Sequence, residues 1–369
     1  MNAQSTPFHK MNSERRRFAR LGLVAITVLF SSISCVYWGW QQPTDVPVPF
    51  AADIVFRSDR DGRDHLFILN TADDSVIKLT DGDGEDYLPV WSPNGNYIAF
   101  LSNRDGDWDL YVIDVATREL RNLSNDAADD LVRFSWAPDS TQLVFDSYRG
   151  EHNKDIYLGD VRNGELAQLT NQAMLEGDPV WSPDGDRIAY VSVTTRGRDL
   201  MIFEVPTGRL IQLLANEPQI WGLSWSPNAD WIAFEAVGED GFGQIDVIEV
   251  DGGKRYESIC GGMGCYGPVW SPGGEWIAFV GGPKDSDVSQ LLIARKDGSD
   301  LTILVENGVL NLPSWSSDGQ WIAFTGVSGR FDRRLGDLDI YAVNVETKEI
   351  YDLTTSDGDD QNPDWRPQP

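Results

Sequence analysis

Residues 91–124 read WSPNGNYIAFLSNRDGDWDLYVIDVATRELRNLS, and the same pattern returns along most of the chain. Residues 181–190 read WSPDGDRIAY, and residues 315–324 read WSSDGQWIAF. The leading tryptophans are separated by 45, 45, 44, 45, 45 and 50 residues, and they are Trp91, Trp136, Trp181, Trp225, Trp270, Trp315 and Trp365. A fixed period in this range is typical of repeat architectures, in which each repeat is one supersecondary unit.

Each repeat predicts four short β-strands. In the quoted repeat, LPVW (88–91), YIAF (97–100) and DLYVID (109–114) are short runs rich in aromatic and β-branched residues, and a weaker fourth run ends near Leu123. Turn residues bound these runs, as strands require. The Ser-Pro-Asn-Gly turn after Trp91 combines a proline that fixes φ with a glycine that accepts positive φ.

Four short strands in every repeat indicate the blades of a β-propeller. We therefore predict an all-β fold with a seven-bladed β-propeller over residues 53–369, and six blades is the alternative if one repeat is degenerate. Residues 53–80 match the second, third and fourth strands of a repeat but lack the tryptophan strand, which NPDWRP (362–367) can supply. Pairing the two ends of the chain would close the ring and remove an exposed sheet edge.

The WSPDG…IAF…DIY…LT pattern resembles the WD-type repeats of the TolB-like propeller family, over essentially everything after residue 52. The resemblance implies a protein-binding propeller in an extracytoplasmic compartment. Similar repeats form the non-catalytic domain of prolyl-oligopeptidase-type peptidases, whose α/β-hydrolase domain carries a nucleophile elbow. No G-x-S-x-G stretch occurs in this chain. TolB itself has six blades and an additional domain before them, so a role in the Tol system does not follow.

The N-terminal segment predicts a membrane anchor. Residues 1–20 form a basic tail, and residues 21–40, LGLVAITVLFSSISCVYWGW, are uncharged and long enough to span a bilayer as a helix. The preceding positive charge predicts a cytoplasmic N-terminus and a propeller on the periplasmic or extracellular side of the cell membrane. Residues 41–52 are predicted to be a proline-containing linker. The alternatives are a cleaved signal peptide and a lipoprotein modified at Cys35.

The chain is strongly acidic, with 30 Lys and Arg against 58 Asp and Glu and a formal net charge of −28. Affinity for nucleic acid depends on cationic contacts to phosphate, so this balance argues against a nucleic-acid partner. It favours a basic protein or peptide partner. The alternative is that the acidity is general for surface proteins of the source organism and says nothing about a partner.

One face of the predicted propeller carries the loops that follow each fourth strand. Acidic loops on this face predict a weak calcium site, with candidate ligands Asp81, Asp83, Asp86, Asp357, Asp359 and Asp360. Other loops carry apolar and aromatic residues, which suit a peptide or protein segment with basic and hydrophobic side chains. The predicted partner-binding residues are Trp221, Tyr266, Met263, Leu310, Tyr87 and Arg133. The alternative is that the acids and glycines only form turns and that the aromatic residues pack locally.

Cys260 and Cys265, in CGGMGC, predict a local disulfide, and zinc is the alternative, although no second ligand pair is present. The chain has three histidines and no nucleophile motif, so we predict that it is not an enzyme and needs no cofactor besides the weak calcium site. The predicted function is a membrane-tethered, extracytoplasmic scaffold that binds a protein or peptide. The alternative is a carbohydrate- or cation-binding propeller, with hydrolysis as a further activity, that uses the acidic channel mouth.

Overall fold

The fold is built from β-strands throughout the part of the chain that the structure describes. A computed structural model describes residues 48–125, 133–149, 153–286, 288–327, 337–355 and 357–368. Within these ranges the strands form seven four-stranded antiparallel sheets. The prediction of an all-β, seven-bladed propeller is therefore confirmed, and the six-bladed alternative is wrong.

The strands are numbered in chain order. The first seven are β1 (Asp53–Ser58), β2 (His65–Asn70), β3 (Ser75–Lys78), β4 (Asp86–Trp91), β5 (Tyr97–Ser102), β6 (Asp109–Asp114) and β7 (Leu120–Asn122). The next seven are β8 (Phe134–Trp136), β9 (Gln142–Ser147), β10 (Asp155–Asp160), β11 (Leu166–Gln168), β12 (Leu175–Trp181), β13 (Arg187–Val193) and β14 (Arg198–Glu204). They are followed by β15 (Arg209–Glu217), β16 (Ile220–Trp225), β17 (Trp231–Val237), β18 (Gly243–Glu249), β19 (Arg255–Tyr256), β20 (Gly264–Trp270) and β21 (Ile277–Gly282). The last seven are β22 (Gln290–Ala294), β23 (Thr302–Val305), β24 (Val309–Trp315), β25 (Trp321–Val327), β26 (Leu338–Asn344), β27 (Ile350–Asp352) and β28 (Asp360–Trp365).

Blade 1 is assembled from both ends of the propeller, in the strand order β28-β1-β2-β3. Each later blade takes the next four strands, so blade 2 is β4 to β7 and blade 7 is β24 to β27. Strand β28 pairs with β1 in antiparallel register, with Trp365 opposite Ile54 and Asp360 opposite Ser58. This pairing confirms the prediction that the C-terminal tryptophan strand closes the ring.

The strand that ends at a repeat tryptophan is the innermost of its blade, since it contacts its counterparts in neighbouring blades. All seven repeat tryptophans are buried. The indole N–H groups of Trp136, Trp225 and Trp315 each donate to a backbone carbonyl on the inner strand of the preceding blade, at 3.1 to 3.2 Å. The tryptophan therefore recurs because it packs between blades, and in these three blades its indole also hydrogen-bonds across the blade boundary.

The turn after each tryptophan explains the Ser-Pro-Asn-Gly sequence. In blade 2 the Ser92 hydroxyl accepts a hydrogen bond from the backbone N–H of Tyr97 at 2.9 Å. Gly95 has a φ of 67° and donates its N–H to the Ser92 carbonyl at 2.8 Å. The same serine bond recurs after four other tryptophans, at Ser182, Ser226, Ser271 and Ser316. The serine hydroxyl thus accepts a hydrogen bond from a backbone N–H that the tight turn would otherwise leave without a partner.

The apolar core lies between blades. Ile98 and Phe100 of blade 2 share one buried cluster with Val55 and Ile68 of blade 1. Full burial of such a side chain stabilises the fold by roughly 1.5–3 kcal/mol. Because the second strand of each blade is apolar on both faces, every blade can pack against two neighbours.

The predicted N-terminal segments lie mostly outside the described residues. The basic tail, 1–20, the anchor helix, 21–40, and residues 41–47 of the linker are not among them. Within the described ranges, no helix has the length and hydropathy needed to cross a bilayer. Phe50, at the end of the linker, packs against Trp321 and Trp365, with ring centroids 4.7 and 5.1 Å apart.

Candidate functional site at the channel mouth

The inner strands are interrupted by a bulge ahead of the tryptophan. In the described part of the chain, six of the seven inner strands shift register against the second strand at this point, all but the short β8. One residue of each bulge has a φ between 52° and 67°, and these bulge residues are Leu88, Asp178, Gly222, Gly267, Asn311 and Asn362. A bulge redirects the side chains beside it, and bulges are frequent next to functional sites.

Four of the predicted partner-binding residues occupy equivalent positions at these bulges. Tyr87, Trp221, Tyr266 and Leu310 each directly precede a bulge residue of their own inner strand. Because the seven inner strands surround the propeller axis, these equivalent positions lie at the same end of the inner strands, where the loops from preceding blades enter. We call these positions, together with the bulge residues, the channel mouth.

Buried polar side chains of the second strands bind the bulges of the next blade. Glu235 accepts the N–H of Gly267 at 2.8 Å, Asp146 accepts that of Asp178 at 3.1 Å, and Thr325 accepts that of Asn362 at 3.2 Å. All three acceptors are buried. The N–H group of the bulge residue does not pair within its own sheet. These side chains of the preceding blade accept its hydrogen bond instead. These three bulges are therefore each fixed to the preceding blade.

Glu235 links the channel mouth of blades 5 and 6. Its carboxylate binds the side chain of Trp221 as well as the N–H of Gly267, and burial raises the pKa of this carboxyl group above its ordinary value. Gly222 is required here, since a Cβ on it would lie 2.5 Å from the Glu235 Oε1. The guanidinium of Arg198 lies 5.9 Å from the centre of the Trp221 ring.

An ion pair joins the inner strands of blades 3 and 4. The Nε of Arg133 lies 3.3 Å from an Asp178 carboxylate oxygen, and the Arg133 side chain is 55% exposed. The charge of Arg133 lowers the pKa of Glu235, and the charge of Asp178 raises it. Arg133, Asp178, Glu235 and Trp221 thus belong to one electrostatic neighbourhood on this side of the channel mouth.

The apolar members of the predicted set differ in exposure. Tyr266 is 41% exposed at the channel mouth. Leu310 is partly buried, while Leu312, two residues on, is exposed. Met263 packs against the buried cluster between blades 5 and 6, so its side chain contributes to the core there.

Tyr87 lies in a second polar group, at blades 1 and 2. Its hydroxyl donates to Asp64 at 2.8 Å, and the Arg57 guanidinium lies 4.4 Å from the centre of its ring. The Trp108 ring packs edge-on at 5.2 Å. Burial and the bond to Asp64 raise the pKa of Tyr87 to about 12. Tyr87 is therefore held in place as a neutral phenol.

Two of the six predicted calcium ligands are buried in ion pairs. Asp86 is fully buried and binds the Arg104 guanidinium at 2.8 Å, while Asp360 is fully buried and binds Arg60 through both carboxylate oxygens at 2.9 and 3.0 Å. The hydroxyl of Thr80, from the end of the preceding blade, also donates to Asp86. These carboxylates already have cationic partners from the protein itself.

The other four predicted ligands are spread over two loops. Asp81 pairs with Lys78 at 3.0 Å, Asp83 and Asp357 are exposed, and Asp359 accepts the N–H of Leu338 at 3.0 Å. None of the six belongs to the single group of three carboxylates whose oxygens lie within 4.8 Å of one another in the described residues, which is Asp105, Asp107 and Asp109. That group in turn accepts hydrogen bonds from Tyr111, Asn122 and Ser124. The calcium site stays a prediction.

Cys260 and Cys265 form a disulfide between blades 5 and 6. Both cysteines are buried. Cys260 follows Ile259 at the end of blade 5, as Thr80 follows Leu79 at the end of blade 1. The disulfide between blades 5 and 6 is therefore at the position equivalent to the Thr80–Asp86 hydrogen bond between blades 1 and 2.

Glu235 and Arg57 were not selected from the sequence, although the repeat contains a signal for both. The residue after the IAF-type run is apolar in three blades, at Leu101, Val191 and Val280. It is charged in three others, at Arg57, Asp146 and Glu235, all of which are buried. A buried charge at a position that is apolar in other blades indicates a specific partner for that charge.

Comparison with known proteins supports the resemblance to the TolB-like family. The family model described as the TolB beta propeller domain matches residues 82–258. A protein TolB homolog of Chlorobium chlorochromatii is 25% identical over 143 residues, which cover 39% of this chain and 32% of that protein. An uncharacterized protein of Agrobacterium fabrum is 31% identical over 142 residues, covering 35% of this chain and 48% of that protein. This chain thus spans about half or less of the length of these relatives.

Two solved structures show the same fold. TolB from Acinetobacter baumannii superposes with a TM-score of 0.56 at 17% identity, covering 86% of this chain and 67% of that one. An oligogalacturonate lyase from Vibrio parahaemolyticus superposes with a TM-score of 0.62 at 14% identity, covering 82% of this chain and 86% of that one. At these identities the likeness concerns the fold alone.

The prediction that the chain is not an enzyme is wrong. The uncharacterized peptidase YuxL of Bacillus subtilis is 26% identical over 172 residues, which cover 37% of this chain and 26% of that protein. Together with the lyase structure, this relative shows that enzymes are among the proteins this propeller resembles. The scarcity of histidine and the missing nucleophile motif are therefore not sufficient to exclude an enzymatic function.

Proposed function

Given that the chain carries a TolB-like β-propeller, we propose that it is a membrane-tethered, extracytoplasmic scaffold whose channel mouth binds a protein or peptide segment. The observation that carries this proposal is the position of Tyr87, Trp221, Tyr266 and Leu310 at equivalent bulges around one end of the ring. Repeat-conserved residues hold the fold, whereas these positions differ from blade to blade. Such variation on a rigid frame is what selective recognition needs.

The chemistry of the channel mouth suits a segment with apolar and basic side chains. Trp221 and Tyr266 are large aromatic residues, each directly before a bulge residue. Aromatic residues of this kind contribute much of the binding energy at protein interfaces. Asp178 and Glu235 place carboxyl groups beside them, with Arg133 as the neighbouring cation. A partner with a hydrophobic side chain next to Lys or Arg would match this pattern.

The tether belongs to the proposal because residues 21–40 are apolar and follow a basic tail. An extracytoplasmic location agrees with the disulfide, since disulfides persist in oxidising compartments. Residues 41–52 would then separate the propeller from the bilayer.

Site-specific photo-crosslinking in cells tests the scaffold. A photoreactive phenylalanine analogue replaces Tyr266 or Trp221 in one set of full-length chains, and Ile77 or Leu210 in a control set. The control positions are exposed apolar residues on outer strands. We expect one discrete crosslinked partner from the channel-mouth positions and none from the outer strands. Equal crosslinking from both sets, or none from either, would rule out the channel mouth as the binding surface.

A second candidate, binding and hydrolysis of a carbohydrate at the same place, is supported by Glu235. A buried carboxyl group with a raised pKa beside an indole is a candidate general acid, and Asp178 supplies a second carboxylate nearby. Turnover of a polysaccharide by the purified full-length chain, abolished in Glu235→Gln, would favour this candidate over the scaffold. Absence of turnover across neutral and acidic polysaccharides would remove it.

A further inference from the structure

Blades 1 and 2 share an arrangement of one acid, one arginine and two aromatic rings. In each, a carboxylate at the start of the inner strand binds an arginine from the loop between the second and third strands. The Arg104 guanidinium lies 5.5 and 5.1 Å from the ring centres of Phe100 and Tyr111. The Arg60 guanidinium has the same relation to two phenylalanines. The arginine compensates a fully buried carboxylate in both blades.

Blade 4 keeps the acid but lacks the arginine. Glu176 precedes Trp181 by five residues, as Asp86 precedes Trp91. Its backbone N–H donates to the Lys154 carbonyl at 2.8 Å, as the N–H of Asp86 donates to Asp64. Four residues after the IAF-type run, where blade 2 has Arg104, blade 4 has Thr194.

Three buried polar atoms at and around Glu176 lack partners in the described part of the chain. Glu176 and Tyr190 are each 1% exposed and Asp155 is 4% exposed. The Glu176 Oε2, the Tyr190 hydroxyl and the Asp155 Oδ1 have no hydrogen-bond partner among the described residues, whereas the Asp155 Oδ2 accepts from the Gln168 amide at 3.1 Å. The Thr170 hydroxyl, which accepts the N–H of Ile156, has one proton to share between Glu176 and Asp155. Buried polar groups normally find partners, so an orphaned set of this kind requires an explanation.

We propose that blade 4 binds an alkylguanidinium group of a ligand at Glu176, in the position that Arg60 and Arg104 occupy in blades 1 and 2. A planar guanidinium can donate to a carboxylate and to a phenol oxygen at the same time. The Tyr190 ring and Met201 take the places of the aromatic pair beneath it. The position is reachable, since the Arg60 and Arg104 side chains are 20% and 18% exposed.

A guanidinium fits this site better than a metal ion. Glu176 and Asp155 are not in the one three-carboxylate group found among the described residues. Blades 1 and 2 compensate the equivalent buried carboxylate with arginine. The site does not include Trp221 or Tyr266, and it does not depend on the scaffold function of the channel mouth.

Thermal unfolding of the detergent-solubilised full-length chain tests the proposal, with methylguanidinium as the probe and methylurea as its neutral isostere at matched ionic strength. Methylguanidinium should raise the Tm of the unchanged protein by about 2 to 4 °C, because a ligand bound only to the folded state stabilises it. Methylurea should leave the Tm unchanged. Glu176→Gln should abolish the response to methylguanidinium.

Thr194→Arg supplies the missing guanidinium from the protein itself, and Thr195→Arg is its matched control on the exposed neighbouring residue. We expect Thr194→Arg to have a higher Tm than Thr195→Arg and to show no response to methylguanidinium. Equal Tm values in the two variants would overturn the proposal. So would equal responses to methylguanidinium and methylurea in the unchanged protein.

Discussion

At the scale of single residues, the channel mouth depends on a close contact between Gly222 and Glu235. The Glu235 carboxylate lies against the backbone of Gly222 and accepts the N–H of Gly267 in the next blade. Any side chain at Gly222 would push this carboxylate away from its donors. The glycine is therefore part of the site, although it carries no functional group.

Gly222→Ala should destabilise the protein by about 1–3 kcal/mol more than Gly208→Ala, because only the first adds a steric clash. Both glycines have positive φ, 60° and 70°, but a Cβ on Gly208 meets no atom within 4 Å. The comparison cancels the backbone strain that alanine has at positive φ. Urea unfolding of both variants measures the difference. Equal free energies of unfolding would show that Glu235 moves aside at no cost.

At the scale of elements, the inner strands β4 and β28 are each fixed at their first residue by an ion pair. The sequence period predicts the strands, the turns and the closing strand, because the residues that recur in every repeat are those that form the strands and turns of every blade. Asp86 and Asp360 look like members of an acidic loop in the sequence, yet both are buried against arginines. Their partners lie in a different loop of the same blade, and only the fold brings the two together.

Arg104→Ala should destabilise the protein by about 3 kcal/mol, because it leaves the fully buried Asp86 carboxylate without its cation. Arg162→Ala, which breaks an exposed ion pair with Asp160, is the control and should change stability little. Combining Arg104→Ala with Asp86→Asn should recover part of the loss, since the buried charge is then gone. Equal losses in the two single variants would contradict a structural role for this pair.

The predicted partner-binding residues could also be predicted only in part from the sequence. Tyr87, Trp221, Tyr266 and Leu310 could be selected because they interrupt the acidic or glycine-rich character of their loops. Their equivalence at the bulges could not be predicted, because a β-bulge shifts register without a fixed sequence. Glu235 remained hidden for a different reason, since a single acid in an apolar strand gives no indication of its partner.

At the scale of the whole molecule, the ring is held closed by Asp364, the residue before the last repeat tryptophan. It accepts the backbone N–H of Trp91 in blade 2 at 2.8 Å and the hydroxyl of Ser314 in blade 7 at 2.9 Å. One side chain in blade 1 thus joins both neighbouring blades. Burial raises the pKa of Asp364 from 3.8 to about 6.

This shift predicts a pH dependence of stability. Because the folded pKa lies above the unfolded value, the folded state holds the proton more tightly, and the resulting stabilisation is complete below about pH 4 and lost as pH rises through about 6. Asp364→Asn should therefore stabilise the protein relative to the unchanged chain above pH 6, by up to about 3 kcal/mol. The difference should disappear near pH 4.

Urea unfolding at several pH values measures this difference, with Asp357→Asn, which changes an exposed acid, as the control. A stability difference for Asp364→Asn that does not vary between pH 4 and pH 7 would show that the carboxyl group is ionised throughout.

Closure of blade 1 by β28 also sets the order of events during synthesis. Among the propeller strands, β1 to β3 are translated first, and β28, the inner strand of the same blade, is translated last. Until then the nascent blade has three strands, and the inner edge of β1 has free backbone groups that can pair with other chains. The ring therefore cannot close until β28 has been translated, and the β1 edge is the surface that a chaperone would need to cover until then.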